Sequence, residues 1–178
     1  GAYKISPEKA DELSKIVLVD KQTKDGRTVK IVNRECVGRD AAVLLKKVGI
    51  SVGPEVRCII CEADFNHPFV QNELMMPILP IVRVSGIDEA IDLAVKAEHG
   101  NRHTAHMHSK NIDNLSRFAK AVETTIFVKN APSYAGIGFG GEGHTTFTIA
   151  GPTGEGITSA RSFTRQRRCV MADSFRII

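Results

Sequence analysis

The residues best suited to form a binding site lie in one stretch of the chain, 124–168. Two glycine-dense loops, 136–143 and 151–156, flank a short strand-like run, and an arginine-rich segment follows them. Glycines at this density let a backbone adopt positive φ angles or approach a ligand closely, which a hydrophobic core seldom requires. We therefore expect this stretch to form the wall of a site.

Neither glycine loop satisfies a phosphate-binding motif in full. Gly136, Gly138 and Gly141 fit G-x-G-x-x-G, but that fingerprint needs a helix directly after it, and residues 144–148 resemble a strand. The second loop nearly spells a P-loop, except that Ile157 stands where the phosphate-binding lysine is required. We predict that neither loop holds a phosphate by itself.

Two of the four cysteines, Cys58 and Cys61, fit the pattern C-x-x-C. A redox-active pair needs a helix start after the first cysteine to lower its pKa. Here the two residues between them are isoleucines, which predict a strand that places the two sulfurs on opposite faces. A zinc site would need a second pair. The pattern therefore favours a place in the core.

Three histidines cluster at His103, His106 and His108. On a strand, His106 and His108 share one face and His103 points away from it. No carboxylate or cysteine stands at ligand spacing, so solvated or pocket-lining histidines are favoured over a metal site.

Arg161, Arg165 and Arg168 recur at helical spacing and predict a cationic stripe on a helix. Such a stripe is either solvated or in contact with another subunit, or it binds an anion such as a phosphate. A nucleic acid is disfavoured as the partner, because two tyrosines and no tryptophan offer few stacking platforms. A steep salt dependence of binding would indicate that alternative.

The composition is that of an ordinary globular protein. Of 178 residues, 42% are hydrophobic and 25% are charged, and the formal net charge of +4 is too small to imply nucleic-acid binding. Because no apolar run approaches the length of a membrane span and no leader is evident, we expect no membrane association. Four cysteines without dense spacing are typical of a reducing, cytoplasmic setting.

Capping residues and periodicity predict an alternation of helices and strands. Ser6, Asp40 and Asp88 are the expected helix caps, and Pro77 and Pro80 favour an edge strand or an early position in the strand that they enter. The alternation predicts a single α/β domain over 1–178 with a largely parallel sheet. Helices are expected near 7–17, 41–47, 89–97 and 112–122, and strands near 29–32, 56–61, 78–84, 103–108 and 124–128.

Several runs of residues resemble the aldehyde dehydrogenase superfamily. One begins at His67-Pro68-Phe69-Val70 and continues through Glu73-Leu74-Met75-Met76-Pro77-Ile78-Leu79-Pro80-Ile81-Val82. Others are 125–130, 143–145, 148–156 and 163–170. Together they are similar to the CoA-acylating aldehyde dehydrogenases of the propionaldehyde and ethanolamine-utilisation type, most specifically from about Cys58 onward.

The resemblance implies a three-layer α/β domain like the C-terminal, catalytic domain of that family. It also implies an oxidoreductase that converts a short-chain aldehyde, NAD and coenzyme A into an acyl-CoA and NADH. In that family a cysteine thiolate attacks the carbonyl, hydride leaves to the nicotinamide, and coenzyme A resolves the thioester. NAD and coenzyme A are the expected cosubstrates, and no metal is expected.

The resemblance also assigns site residues. Glu73 matches the glutamate of the family's E-x-F-x-P segment, which holds the ribose next to the nicotinamide, and Met75 and Pro77 complete that segment. Met75 replaces its aromatic residue. The strand and turn that line the aldehyde pocket are matched by Phe147, Thr148, Ile149 and Gly151.

By the same resemblance, the nucleophilic cysteine and the Rossmann half lie upstream of residue 1, so we expect no catalytic residue within 1–178. The isolated chain is then expected to be inactive. The arginine segment faces coenzyme A phosphates or a neighbouring subunit. A homo-oligomer, dimer or tetramer, is expected in the cytoplasm, with a bacterial microcompartment and its shell as a further location and partner. The alternative is a non-catalytic oligomerisation module that uses exposed strands.

Overall fold

The computed structural model describes residues 1–143, 145–146, 148–149, 157–170 and 172. The chain folds into two compact units, Gly1–Leu93 and Ala94–Ile178. The helices are α1 (Pro7–Val17), α2 (Ala41–Lys46), α3 (Pro68–Gln71), α4 (Ile87–Ala97) and α5 (Ile112–Val122). The strands are β1 (Ala2–Lys4), β2 (Leu18–Gln22), β3 (Thr28–Val32), β4 (Cys58–Glu62), β5 (Ile78–Ile81), β6 (Thr104–Met107), β7 (Ile126–Lys129), β8 (Thr148–Ile149) and β9 (Ile157–Thr158).

The first unit is built on a three-stranded parallel sheet in the order β1-β4-β5. β5 lies at its edge, as Pro77 and Pro80 predict, because a proline cannot donate a hydrogen bond to a second neighbouring strand. The alternating burial of β4 turns Ile59 and Cys61 into the core. β2 and β3 form a separate antiparallel hairpin whose turn contains Gly26 at φ +81°.

Helix α1 follows the predicted capping chemistry. The Ser6 hydroxyl accepts a hydrogen bond from the Lys9 amide at 3.4 Å, and Pro7 occupies the first turn, where its missing N–H is not needed. Leu13 and Val17 are fully buried on one face of the helix. They join Leu44, Leu45 and the inward face of β4 in one core cluster.

The second unit contains the parallel pair β6 and β7, with α5 between them in the sequence. Asn111 caps α5 through its side-chain oxygen, which accepts from the Asn114 amide at 3.0 Å. Two short 3-10 helices, Ser133–Ile137 and Ala160–Phe163, follow β7, and β8 pairs antiparallel with β9.

The predicted α/β class with parallel strands is confirmed, and several details of the prediction are wrong. Helix α4 begins at Ile87, so Asp88 lies in its first turn and is not its cap. At the start of this helix the Glu89 carboxylate accepts a hydrogen bond from the Ser85 amide at 2.7 Å. Asp40 stands at the cap of α2, but its side chain makes no capping hydrogen bond. β5 ends at Ile81, three residues before the predicted end. The single-domain assignment stays a prediction.

Among the described residues, no helix is both long enough and apolar enough to cross a membrane.

Candidate functional site

The 73–77 segment enters strand β5 and alternates between core and solvent. Leu74 is buried and Met76 packs against the core cluster, whereas Glu73 and Met75 are exposed. At its far end the Pro77 carbonyl accepts from the Ile59 amide at 2.8 Å, which joins the segment to β4. The Glu73 and Met75 side chains therefore face solvent, while Leu74, Met76 and the Pro77 carbonyl attach the segment to the core and to β4.

The Glu73 carboxylate makes no hydrogen bond or ion pair with any residue in the described part of the chain. An ionised carboxylate offers two oxygens that accept hydrogen bonds and no donor. It is therefore available to a ligand that brings hydroxyl donors.

The neighbouring Met75 has a left-handed backbone, with φ +53°, and its side chain is 58% exposed. The Met75 carbonyl accepts a hydrogen bond from the Gly38 amide at 3.2 Å. Left-handed conformations of non-glycine residues cost free energy and are concentrated at functional sites. This combination of exposure and a restrained backbone is what a ligand-binding segment requires.

The first glycine loop packs tightly against β7 in the second unit. Ser133–Ile137 forms a 3-10 helix, and Gly138 follows it at φ +95°. A Cβ added at Gly136 would lie 2.2 Å from Ile126, and one at Gly143 would lie 2.1 Å from the Gly136 carbonyl oxygen. A cavity of about 480 Å³ lies between this loop, β7 and Ile157. These glycines therefore permit close backbone packing beside a cavity.

No residue is helical in 138–143, 145–146 or 148–149, so the described part of this stretch lacks the helix that a dinucleotide fingerprint needs. The P-loop-like run falls mostly on 151–156, which lies outside the described residues, and Ile157–Thr158 forms strand β9.

Of the four predicted aldehyde-pocket residues, Phe147 and Gly151 lie outside the described residues. Thr148 and Ile149 form strand β8, and Ile149 packs against the cluster of Ile126, Val128 and Ala135. Their contact with an aldehyde stays a prediction.

The cysteines behave as the strand geometry predicts. Cys61 is fully buried in the core, and Cys58 lies on the other face of β4. Burial raises the pKa of the Cys61 thiol, which opposes the thiolate that a nucleophile or a redox pair needs. Cys36 is also fully buried, and Cys169 is exposed; all four are free thiols.

Strand β6 contains His106, whereas His103 and His108 flank it, and the opposite direction of His103 stays a prediction. The centroids of His106 and His108 lie 5.6 Å apart, and the His103 ring contacts the Thr104 hydroxyl at 2.7 Å. The described residues contain no group of three or more side chains that could hold a metal ion.

The predicted helical arginine stripe is wrong. Arg161 lies in the 3-10 helix Ala160–Phe163, but Arg165 and Arg168 follow it in a segment without helix or strand. The three side chains are exposed and share no helix face. A short 3-10 turn does not continue the 3.6-residue period on which the prediction rested.

Comparison with known proteins decides the family. The sequence profile of the aldehyde dehydrogenase family matches residues 21–167. The chain belongs to the aldehyde dehydrogenase family. The resemblance drawn from 67–82, 125–130, 143–145, 148–156 and 163–170 is thereby confirmed.

Its relatives in this family include acylating enzymes. The acetylating acetaldehyde dehydrogenase EutE of Salmonella typhimurium is 50% identical over 99% of the chain, which spans 37% of that relative's length. The propionaldehyde dehydrogenase from the fucose utilisation microcompartment of Clostridium phytofermentans is 54% identical, with a TM-score of 0.82 over 98% of this chain and 38% of its own.

A third relative is the Rhodopseudomonas palustris propionaldehyde dehydrogenase, solved with bound propionyl-CoA. It is 55% identical, with a TM-score of 0.83 over 96% of this chain and 36% of its own. The chain therefore spans little more than a third of the relatives that it matches.

In this aldehyde dehydrogenase chain the sequence prediction missed a charged cluster at the carboxyl ends of the parallel strands. The Glu62 carboxylate bonds to Lys4 Nζ at 2.7 Å and to Arg83 Nε at 2.9 Å, and so joins the ends of β1, β4 and β5. The cluster borders a cavity of about 530 Å³. This cavity lies at the carboxyl end of β5, whereas Glu73 precedes the amino end of that strand. Separations of 58 and 21 residues left no local signal for it.

The Glu62 cluster makes stability depend on acid. The hydrogen bond from Arg83, and next that from Lys4, lowers the pKa of Glu62 to about 2 from an ordinary value of 4.5. Because the folded pKa is the lower one, Glu62 stabilises the fold fully above pH 4.5 and progressively less as pH falls toward 2.

We therefore expect the gap in the free energy of unfolding between the wild type and Glu62→Gln to close between these pH values. Urea unfolding at a series of pH values measures it. Added salt should narrow the gap at neutral pH, because the pairs are largely exposed. A gap that stays constant down to pH 2 would contradict the assignment.

Proposed function

We propose that this chain is part of a CoA-acylating aldehyde dehydrogenase that converts a short-chain aldehyde, NAD and coenzyme A into an acyl-CoA and NADH. Membership of the family and relatives that include an acetylating enzyme and one solved with propionyl-CoA support this function. The observation that carries it for this chain is the exposed Glu73 carboxylate, which has no partner within the described residues and lies on a restrained backbone.

The 73–77 segment fits the ribose of a nicotinamide nucleotide. A ribose offers vicinal hydroxyl donors, and the Glu73 carboxylate offers two acceptor oxygens with no partner among the described residues. Its hydrogen bonds would be charge-assisted and therefore stronger than neutral ones. When bound, the nucleotide supplies a hydride acceptor. The chain's own part is to orient the nucleotide through Glu73, with Met75 and Pro77 shaping the segment.

The attacking thiol belongs, in this proposal, to the part of the enzyme upstream of residue 1. Cys36 and Cys61 are fully buried, and Cys58 lies within strand β4. Cys169 is exposed, but it follows the arginine segment in a stretch without helix or strand. An activated nucleophile needs access together with a neighbouring base or a lowered pKa. Residues 1–178 would then supply one wall of the catalytic domain, including the aldehyde pocket at 147–151.

The family setting supports further partners. One similar protein comes from a bacterial microcompartment. We propose a cytoplasmic homo-oligomer, dimer or tetramer, that is housed in such a compartment and contacts its shell. NAD and coenzyme A are the proposed cosubstrates, and no metal takes part.

The isolated chain tests this function together with the full-length enzyme. With propionaldehyde, NAD and coenzyme A, we expect no NADH production by the chain and clear production by the full-length enzyme. In the full-length enzyme, Glu73→Gln should raise the KM for NAD by about tenfold, the loss expected for one charge-assisted hydrogen bond. Glu12→Gln removes an equal charge from α1 and serves as the control. Turnover by the isolated chain would refute the placement of the nucleophile upstream.

A non-catalytic oligomerisation module is the second candidate function. Leu79 and Ile81 on the edge strand β5 are exposed in the first unit, and exposed edges invite pairing with another chain. Sedimentation of the isolated chain at several concentrations tests it. A strict monomer would exclude this candidate and leave the catalytic one standing.

A further inference from the structure

The turn 34–38 lies far from the 73–77 segment in sequence and touches it in space. Its last residue, Gly38, donates its amide hydrogen to the Met75 carbonyl at 3.2 Å. Met75 is the residue of the segment with the left-handed backbone, at φ +53°. The contact is therefore made by the residue of the segment that has a left-handed backbone conformation.

The turn itself is held to the core by several contacts. The Cys36 side chain is fully buried in the same cluster as Leu74. The Asn33 side chain donates to the Ile16 carbonyl and accepts from the Glu35 amide, each at 3.1 Å. The turn is thus anchored to helix α1 on one side and presents the Gly38 amide on the other.

A glycine is favoured at position 38 by the backbone conformation of this contact. Its φ is +68°, a conformation that a residue with a Cβ rarely adopts. No atom lies within 4 Å of a Cβ added there, so an alanine would meet backbone strain and no clash. A substitution at Gly38 consequently tests the turn conformation alone.

We propose that the turn 34–38 is a positioning element for the nucleotide: through the Gly38 amide it holds Met75 in its left-handed conformation and so aims the Glu73 carboxylate. The proposal rests on the proposed function of Glu73. Leu74 and Pro77 hold the rest of the segment, but only the bond from Gly38 acts on the carbonyl of Met75 among the described residues.

The first experiment compares two glycines in the full-length enzyme. Gly38→Ala should raise the KM for NAD about fivefold with kcat unchanged, the factor that corresponds to about 1 kcal/mol of left-handed strain. Gly26→Ala is the matched control, because Gly26 also has a positive φ and open space around it, in the β2–β3 turn. Gly26→Ala should lower the free energy of unfolding by a similar amount and leave the KM for NAD unchanged. Equal KM values for the two variants would overturn the proposal.

The second experiment separates positioning from stability at Met75. Met75→Ala removes the side chain and keeps the restricted backbone, whereas Met75→Gly also releases the backbone. We expect Met75→Gly to be the more stable variant, since glycine has no left-handed penalty, and yet to have a KM for NAD about fivefold higher than that of Met75→Ala. A Met75→Gly variant with the lower KM would refute the proposal.

Hydrogen exchange distinguishes failure of the proposal from failure of the proposed function. If Glu73→Gln leaves the KM for NAD unchanged, the proposed contact between Glu73 and the ribose is wrong. That result does not test whether the turn 34–38 positions the segment. Exchange of the amide at residue 38, which donates to the Met75 carbonyl, should still be faster in Gly38→Ala than in Gly26→Ala, because the restraint is a property of the fold. Equal exchange rates in the two variants would show that the turn does not position the segment.

Discussion

Gly143→Ala is expected to lower the free energy of unfolding by about 3 kcal/mol. The added Cβ would lie 2.1 Å from the Gly136 carbonyl oxygen and 2.8 Å from that of Ala135. Both contacts are with backbone, which cannot rotate away as a side chain can. The Gly143 amide also donates to the Ala135 carbonyl at 3.2 Å, so relief by movement of the loop would break this bond.

Gly140→Ala is the control in the same loop. Gly140 has φ +74° and no atom within 4 Å of an added Cβ, so its alanine meets conformational strain alone, about 1 kcal/mol. Urea unfolding followed by circular dichroism measures both variants. Losses of equal size would mean that the close approach of Gly143 to the 3-10 helix does not exist in solution.

Leu44→Ala is expected to cost about 3 kcal/mol in the first unit, because truncation of a fully buried leucine loses transfer free energy and leaves a cavity. Leu44 lies on the inner face of α2 and belongs to the core cluster with Leu13, Leu45 and Ile59. Leu44→Ala should reduce activity only in proportion to the fraction of enzyme that unfolds. The KM for NAD of the folded enzyme should be unchanged, since Leu44 does not belong to the 73–77 segment or to the turn that contacts it.

Val43 provides the neighbouring control on the same helix. Its side chain is 46% exposed, so Val43→Ala should change the free energy of unfolding by about 0.5 kcal/mol or less. The two variants are compared by their urea unfolding midpoints. The slope of the unfolding free energy against urea concentration should stay constant, because a changed slope would indicate a change in the denatured state. If Val43→Ala were as damaging as Leu44→Ala, the assigned inner face of α2 would be wrong.

The two ends of β5 carry different groups of side chains. The 73–77 segment precedes the strand, and the Glu62, Arg83 and Lys4 cluster lies beyond its other end. Open α/β sheets commonly bind ligands at the carboxyl ends of their strands. The segment that we propose for the nucleotide lies at the amino end, so this general rule alone would have indicated the cavity beside Glu62 instead.

Much of the local structure could be predicted from neighbouring residues. Ser6 caps α1 through a contact three residues away, as predicted, and the apolar period of 112–122 matches α5 at both ends. The alternation of β4 separates Cys58 from Cys61 because successive side chains of a strand point to opposite faces. These are interactions within one or two turns of chain, which sequence spacing expresses directly.

Other features required the tertiary structure. The helical arginine stripe failed because spacing shows which residues would share a face, but not whether the segment forms a helix. The exact caps of α2 and α4 also depend on contacts that propensity does not include. The residues at 147 and 151 were assigned from the family alone, and they lie outside the described residues.

The sequence by itself determined the family and the class of fold, since both are expressed in the types and order of nearby residues. Tertiary structure alone decided that Gly38 meets Met75, that Glu62 joins three strands and that Gly143 packs on the backbone of Gly136. The first two join residues 37 and up to 58 positions apart and depend on how the sheet and turns bring them together. The third depends on the fold of its loop. The spacing of residue types along the chain expresses none of them.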